Sequence, residues 1–300
     1  MGNIQVEMGE NMSTARAVSE KSHLIYPVRH EYDFEASDSV IRKEKKFITD
    51  TIHKIVYDKK HFGHIFDGAR KSTTLYFSEL LRRTPEELLS VLAQFRIRDE
   101  KSVLDMYGVA PVAYRLGAAR GIRGRELDDL SLGVLIHDLG KDGILDFKAL
   151  HRDGELTEEE WSCIHLHPER GADIIDRINA YSLRKHRKNS VSSGARQTAL
   201  EHQIYYDSDE GYPDLHGVKP CRKAQIAKIA DSLHTLRLRR EIPLREGLVD
   251  IIHRTQRGEY NPHIVNTLIQ LIRKDKSDPR KTGIGETKTI ILQERRSYDS

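Results

Sequence analysis

Apolar residues recur at helical spacing along most of this chain. Val40, Ile41, Phe47, Ile48, Ile52 and Ile55 form one such stripe, which predicts an amphipathic helix. A second helix fits Thr73 to Leu81. Thr84-Pro85-Glu86-Glu87 has the makings of a helix start: a hydroxyl cap, proline in the first turn, and acids at the positive end of the dipole. It leads into Leu88, Leu89, Val91, Leu92 and Phe95. Residues 31–98 therefore predict a small N-terminal helical module behind a weakly ordered lead-in, 1–30. Beyond Asp99 the stripes lengthen and predict helices near 101–120, 125–138, 157–179, 196–206, 221–240, 244–257 and 261–274. Strand patterning is scarce, the best being Thr287 to Leu292. The basic, serine-rich stretch 184–196 is expected as an exposed loop. The pattern predicts an all-α protein: a helical bundle over 99–280, preceded by the smaller module and followed by a tail, 281–300.

Composition narrows the class without naming a function. Hydrophobic residues make up 38% and charged residues 32% of the 300 residues, which suits helices with one solvated face. A net charge of +3 does not call for a nucleic-acid partner, though a small anionic ligand fits local basic clusters. The longest apolar run, near Leu132 to Ile136, is far short of the roughly 18 residues of a membrane span. The polar first residues lack a secretory core. Two cysteines, Cys163 and Cys221, make no disulfide framework, and the expectation is a cytoplasmic protein.

The chemistry concentrates in His137-Asp138-Leu139-Gly140-Lys141, directly after the apolar stretch Leu130 to Ile136. A neutral imidazole beside a carboxylate suits a first-row divalent metal. Gly140 and Gly143 loosen the chain past the pair, and Lys141 brings positive charge suited to a phosphate oxygen. A lone His-Asp pair is weak evidence, since a buried histidine is more often a satisfied core residue. Its companions are His167 before Pro168, Glu201-His202 at the end of another stripe, and Asp231 within Ala227 to Asp231. An unpartnered carboxylate in so apolar a helix would be costly. Ligand-type residues on separate helices are how bundle cores build metal sites.

In order, HDLGKDGI, HPERG, an acidic-His pair, GYP, IADSLHTL and GEYNP resemble the HD-GYP family of the HD phosphohydrolase superfamily over about Asp99 to Ile272. The resemblance implies an HD-domain helical bundle that hydrolyses cyclic di-GMP to pGpG or GMP through a hydroxide bridging two divalent metal ions, iron or manganese. It implies Asp138 as the carboxylate between metals, His137 and Asp231 on one metal, and His167 and His202 on the other. Lys141 approaches the substrate phosphate, and Tyr212 of Gly211-Tyr212-Pro213 lines the substrate groove. Gly258 to Pro262 matches a structural segment. The implied partners are cyclic di-GMP and a signalling protein; no membrane is implied, and a homodimer is admitted.

The sequence departs from the family at several positions. Where the family has a histidine about 32 residues before the pair, Asp105 stands here. Where it has His-His-Glu, this chain has Glu201-His202-Gln203. The segment before the signature is more acidic, and His234 replaces an acid after Asp231. The arginine-tyrosine-arginine motif is reduced to a basic run, of which Arg237 and Arg240 are the candidate phosphate contacts, against the plainer reading of a solvated helix face. Two readings follow. In one, Asp105 and Glu201 ligate metal as carboxylates and shift the site toward harder cations. In the other, the site is degenerate and binds cyclic di-GMP or a protein without hydrolysis.

Overall fold

The computed structural model describes residues 30–144, 151, 154–215 and 217–273; the segment Thr287 to Leu292, most of the lead-in 1–30 and the tail 281–300 lie outside them. The fold is all-α. In chain order the helices are α1 (Asp38–Tyr57), α2 (Lys59–Phe66), α3 (Arg70–Arg83), α4 (Glu86–Arg98), α5 (Glu100–Ala119), α6 (Gly124–Leu135), α7 (Glu158–Ile164), α8 (His167–His186), α9 (Ser193–Glu201), α10 (Arg222–His234), α11 (Leu244–Gln256) and α12 (Pro262–Arg273). Among the described residues the extended pairing is a single antiparallel bridge, Ile204 to Gly211.

Helix α5 is the centre of the bundle. Val103, Met106, Tyr107, Val109, Ala110 and Val112 are buried around most of its circumference, the mark of a helix packed on more than one side. It packs against α6 and α10 on the site side and against α1 and α4 on the other. The core is continuous across residues 98–99, where the sequence predicts a boundary: Ile48, Phe77 and Leu88 share it with Leu130, Ile175 and Ile229. Buried polar ties reinforce this junction. Glu44 on α1 accepts from the Tyr107 hydroxyl at 2.8 Å and from Arg96 Nε at 2.8 Å. Asp142, just beyond the His-Asp loop, accepts from the Tyr32 hydroxyl at 2.7 Å and from Arg98 Nε at 2.9 Å. The N-terminal helices thus brace the loop that carries the candidate chemistry.

Helix ends differ from the periodicity in an informative way. The stripe 125–138 stops as a helix at Leu135, and Leu139–Lys141 forms a 3-10 turn. The stripe 157–179 is two helices broken at His165-Leu166, and 221–240 ends as α-helix at His234 before a π-helical turn, Thr235–Arg239. Apolar spacing reports which face is buried; it does not report a break that leaves that face intact. The loop 184–196 is shorter than expected, because α8 runs to His186 and Ser192 caps α9. Within it Val191 is buried, its backbone clamped by the Asn179 amide.

Candidate metal centre

His137, His167 and His202 each follow the end of a helix, and each uses that end in the same way. The last carbonyls of an α-helix have no partner within it. His137 Nδ1 lies 2.7 Å from the Val134 carbonyl, His167 Nδ1 2.8 Å from Ile164, and His202 Nδ1 2.7 Å from Ala199. A carbonyl only accepts, so each Nδ1 carries the proton and donates it. Each Nε2 is left with a lone pair, and all three point inward. The Nε2 atoms of His167 and His202 are 3.0 Å apart.

Asp138 sits between them. Its Oδ1 is 3.2 Å from His167 Nε2 and 3.8 Å from His202 Nε2. Its Oδ2 is 3.4 Å from His137 Nε2 and 2.6 Å from Lys141 Nζ. Asp231, one helix away on α10, brings Oδ1 to 4.0 Å from His137 Nε2. Ligand atoms of His137, Asp138 and His202 all fall within 4.8 Å of one another.

The donor set fits a divalent cation. His137 Nε2 and Asp138 Oδ1 are buried without a hydrogen-bond partner, a costly state unless an ion completes them. Burial opposes the charged form of Asp138, but Lys141, His137 and His167 outweigh it and hold the carboxyl well below its usual range. Burial lowers the pKa of His167, and burial with repulsion from His137 and His167 lowers that of His202 further. Neutral imidazoles around an ionised carboxylate are what a metal requires of its ligands.

Glycine makes this convergence sterically feasible. A Cβ on Gly140 would overlap the His167 carbonyl and the Gly171 amide, so the His-Asp loop and the first turn of α8 meet backbone to backbone. Tyr212 closes another wall: its ring stacks on His165 at 4.2 Å and meets His167 edge-on at 5.7 Å. Burial, then the charges of Asp138 and Asp231, push its hydroxyl well above the ordinary range. The hairpin that carries Tyr212 rests on the Gly258 to Pro262 turn, through Tyr206 N to Glu259 O at 3.2 Å and Asp207 N to Gly258 O at 2.8 Å.

Four expected site residues stand differently. Glu201 is buried, but its Oε2 accepts from Cys221 N at 2.6 Å and its Oε1 from Gln197 Nε2 at 2.9 Å, so one oxygen anchors the start of α10 and the other its own helix instead of joining the cluster. Arg237 donates to the carbonyls of Lys60, His61 and Ile242, bracing α2 rather than awaiting a phosphate. Arg240 is exposed. Arg239, also exposed, is the arginine of this run that pairs with Asp105, its guanidinium 2.6 Å from Oδ2. Burial raises the pKa of Asp105, and Asp138 and Asp231 push the same way against Arg239 and Lys141. Asp105 therefore lies in the field of the cluster with an arginine on its carboxylate. Sequence reasoning missed the choice of Arg239, because the π-helical turn shifts the phase of the run. His234 is buried, stacks on Phe62 at 6.0 Å, and fills the space that Gly108 leaves on α5.

Residues 105–236 match the HD domain family. The matched segment contains His137-Asp138 and the ligand-type residues His167, His202 and Asp231. It is similar to the 3'3'-cGAMP-specific phosphodiesterase 2 of Vibrio cholerae, at 28% identity over 200 residues, covering 63% of this chain and 35% of that protein. It is also similar to a cyclic di-GMP phosphodiesterase of Pseudomonas aeruginosa, at 30% identity over 119 residues, covering 38% of this chain and 27% of that protein. The chain thus spans about a third or less of the length of these relatives. No described helix is long and apolar enough to cross a membrane.

Proposed function

We propose that this protein is a metal-dependent phosphodiesterase that hydrolyses a cyclic dinucleotide, cyclic di-GMP being the expected substrate. The observation that carries this reading is the division of labour at Asp138. Oδ1 faces His167 and His202, while Oδ2 faces His137 and Lys141. A carboxylate so placed suits two ions, with His137 and Asp231 beside one and His167 and His202 beside the other. The mixed imidazole and carboxylate set suits iron or manganese. When bound, such ions supply Lewis-acid polarisation of a phosphodiester and a water acidic enough to lose its proton near neutral pH.

The chain's own groups do the rest. Lys141, held against Asp138, presents an ammonium to a phosphate oxygen. Tyr212 and His165 form a flat wall beside the cluster. The carbonyls behind the histidines keep each Nε2 unprotonated and aimed inward. Hydrolysis adds a water oxygen to phosphorus, breaks one ester P–O bond and opens the ring to a linear dinucleotide. The names of the two relatives support the substrate class.

A second reading is favoured by the Arg239–Asp105 ion pair, which occupies a carboxylate that could otherwise serve a metal. In that reading the protein binds the cyclic dinucleotide and does not cleave it. Incubating the manganese-loaded protein with cyclic di-GMP and with 3'3'-cGAMP separates the two. Linear dinucleotide or mononucleotide product is expected. Binding without product, with metal loading verified, transfers the case to the second reading.

A further inference from the structure

Beside the cluster runs a row of aromatic rings that the proposed chemistry uses only at its inner end. His167 meets Tyr212 at 5.7 Å, Tyr212 stacks on His165 at 4.2 Å, and His165 lies 5.9 Å from Trp161. The row starts at a buried member of the cluster and ends at solvent, where Trp161 is 48% exposed. Trp161 is the chain's one tryptophan. Its helix is fixed by a full capping box between Thr157 and Glu160, so the indole is presented from a held backbone. The interior-facing work of α7 is done by Cys163 and Ile164, which are buried. Trp161 stays about half exposed while its smaller neighbours pack.

We infer that Trp161 and His165 form a nucleobase-stacking subsite, continuous through Tyr212 with the metal cluster. The inference rests on the cyclic dinucleotide reading and extends it from the phosphate to the base. A nucleotide joins an anionic phosphate to a flat aromatic base, and the site joins a metal-fitting end, with the Lys141 ammonium beside it, to a flat aromatic end in the same order. Base stacking on exposed aromatics tolerates different bases, because every base has a π-face. The subsite therefore sets affinity for cyclic dinucleotides as a class, over phosphodiesters that carry no base.

The single tryptophan makes the test direct. Cyclic di-GMP added to the manganese-loaded 300-residue chain should quench or shift Trp161 emission, whereas inorganic phosphate with manganese should not. Trp161→Ala should raise KM for cyclic di-GMP about tenfold, with kcat held within about twofold, and Trp161→Phe should restore most of the loss. Hydrolysis with unaltered Trp161 emission and an unaltered KM in Trp161→Ala overturns the subsite and leaves the phosphodiesterase reading standing. A wild-type protein that neither binds nor cleaves cyclic di-GMP overturns both.

Discussion

The Nε2 atoms of His167 and His202 stand 3.0 Å apart, while both Nδ1 atoms are committed to carbonyls. Neither Nε2 has a proton to offer the other when both rings are neutral. Two lone pairs facing one another in a buried space are unfavourable without a cation between them. A divalent metal should therefore stabilise the folded protein strongly. At a free concentration a hundredfold above its dissociation constant the gain is about 2.7 kcal/mol, visible as a rise in Tm on adding manganese and its reversal by chelator. Asp138→Asn should abolish that rise and lower hydrolysis by about a hundredfold or more. A Tm indifferent to metal in the wild type contradicts the centre described above.

Arg239 and Asp105 form the ion pair that decides how far the site extends. Removing the arginine leaves the Asp105 carboxylate free beside Asp138 and Asp231. Arg239→Ala should tighten manganese binding about tenfold by calorimetry, a change of roughly 1.4 kcal/mol. Adding Asp105→Asn should cancel the gain. An unchanged dissociation constant places Asp105 outside the metal shell.

Gly140 meets backbone atoms of His167 and Gly171, which cannot swing aside as a side chain can. Gly140→Ala should cost about 3 kcal/mol through overpacking. For a domain of this size that is a fall in Tm of roughly 5–10 °C, with loss of metal binding as α8 is pushed off the His-Asp loop. A melting curve that overlays the wild type would show that the two segments do not meet this closely.

His234 supplies a pH dependence with a definite sign. Burial lowers its pKa from an ordinary 6.5 to about 4, against the attraction of Asp231. The unfolded chain takes up this proton below about 6.5, whereas the folded protein resists it until about 4. Stability is then complete above the unfolded value and declines as pH falls through that window, by roughly 3 kcal/mol in all. His167 and His202 act in the same direction. Urea titrations at pH 7 and pH 4.5 should show this loss, and His234→Asn should make it smaller. Equal losses in the two proteins would remove His234 from the account.

The parts of the site that were legible in the chain are those that local chemistry dictates. His137-Asp138-Leu139-Gly140-Lys141 stood out because ligand types followed an apolar stripe, and His167, His202 and Asp231 because they sat at or within others. Even the orienting carbonyls are local, each three residues before its histidine. Glu201 and Arg237 looked equally eligible by residue type. Their roles turn on the Cys221 amide and the carbonyls of α2, partners that lie far away in the chain.

By itself the sequence determined an all-α fold, the approximate helices and the kinds of ligand available, because amphipathic spacing and side-chain chemistry are properties of short segments. Only the tertiary structure decided that Asp138 divides its oxygens between two groups of partners, that Arg239 rather than Arg237 or Arg240 pairs with Asp105, and that Glu201 is held by the start of α10. Side-chain direction at a helix end depends on where that helix stops and what packs against it. The breaks at Leu135, Ile164 and His234 leave the buried face of each stripe intact, so no periodicity within one segment records them.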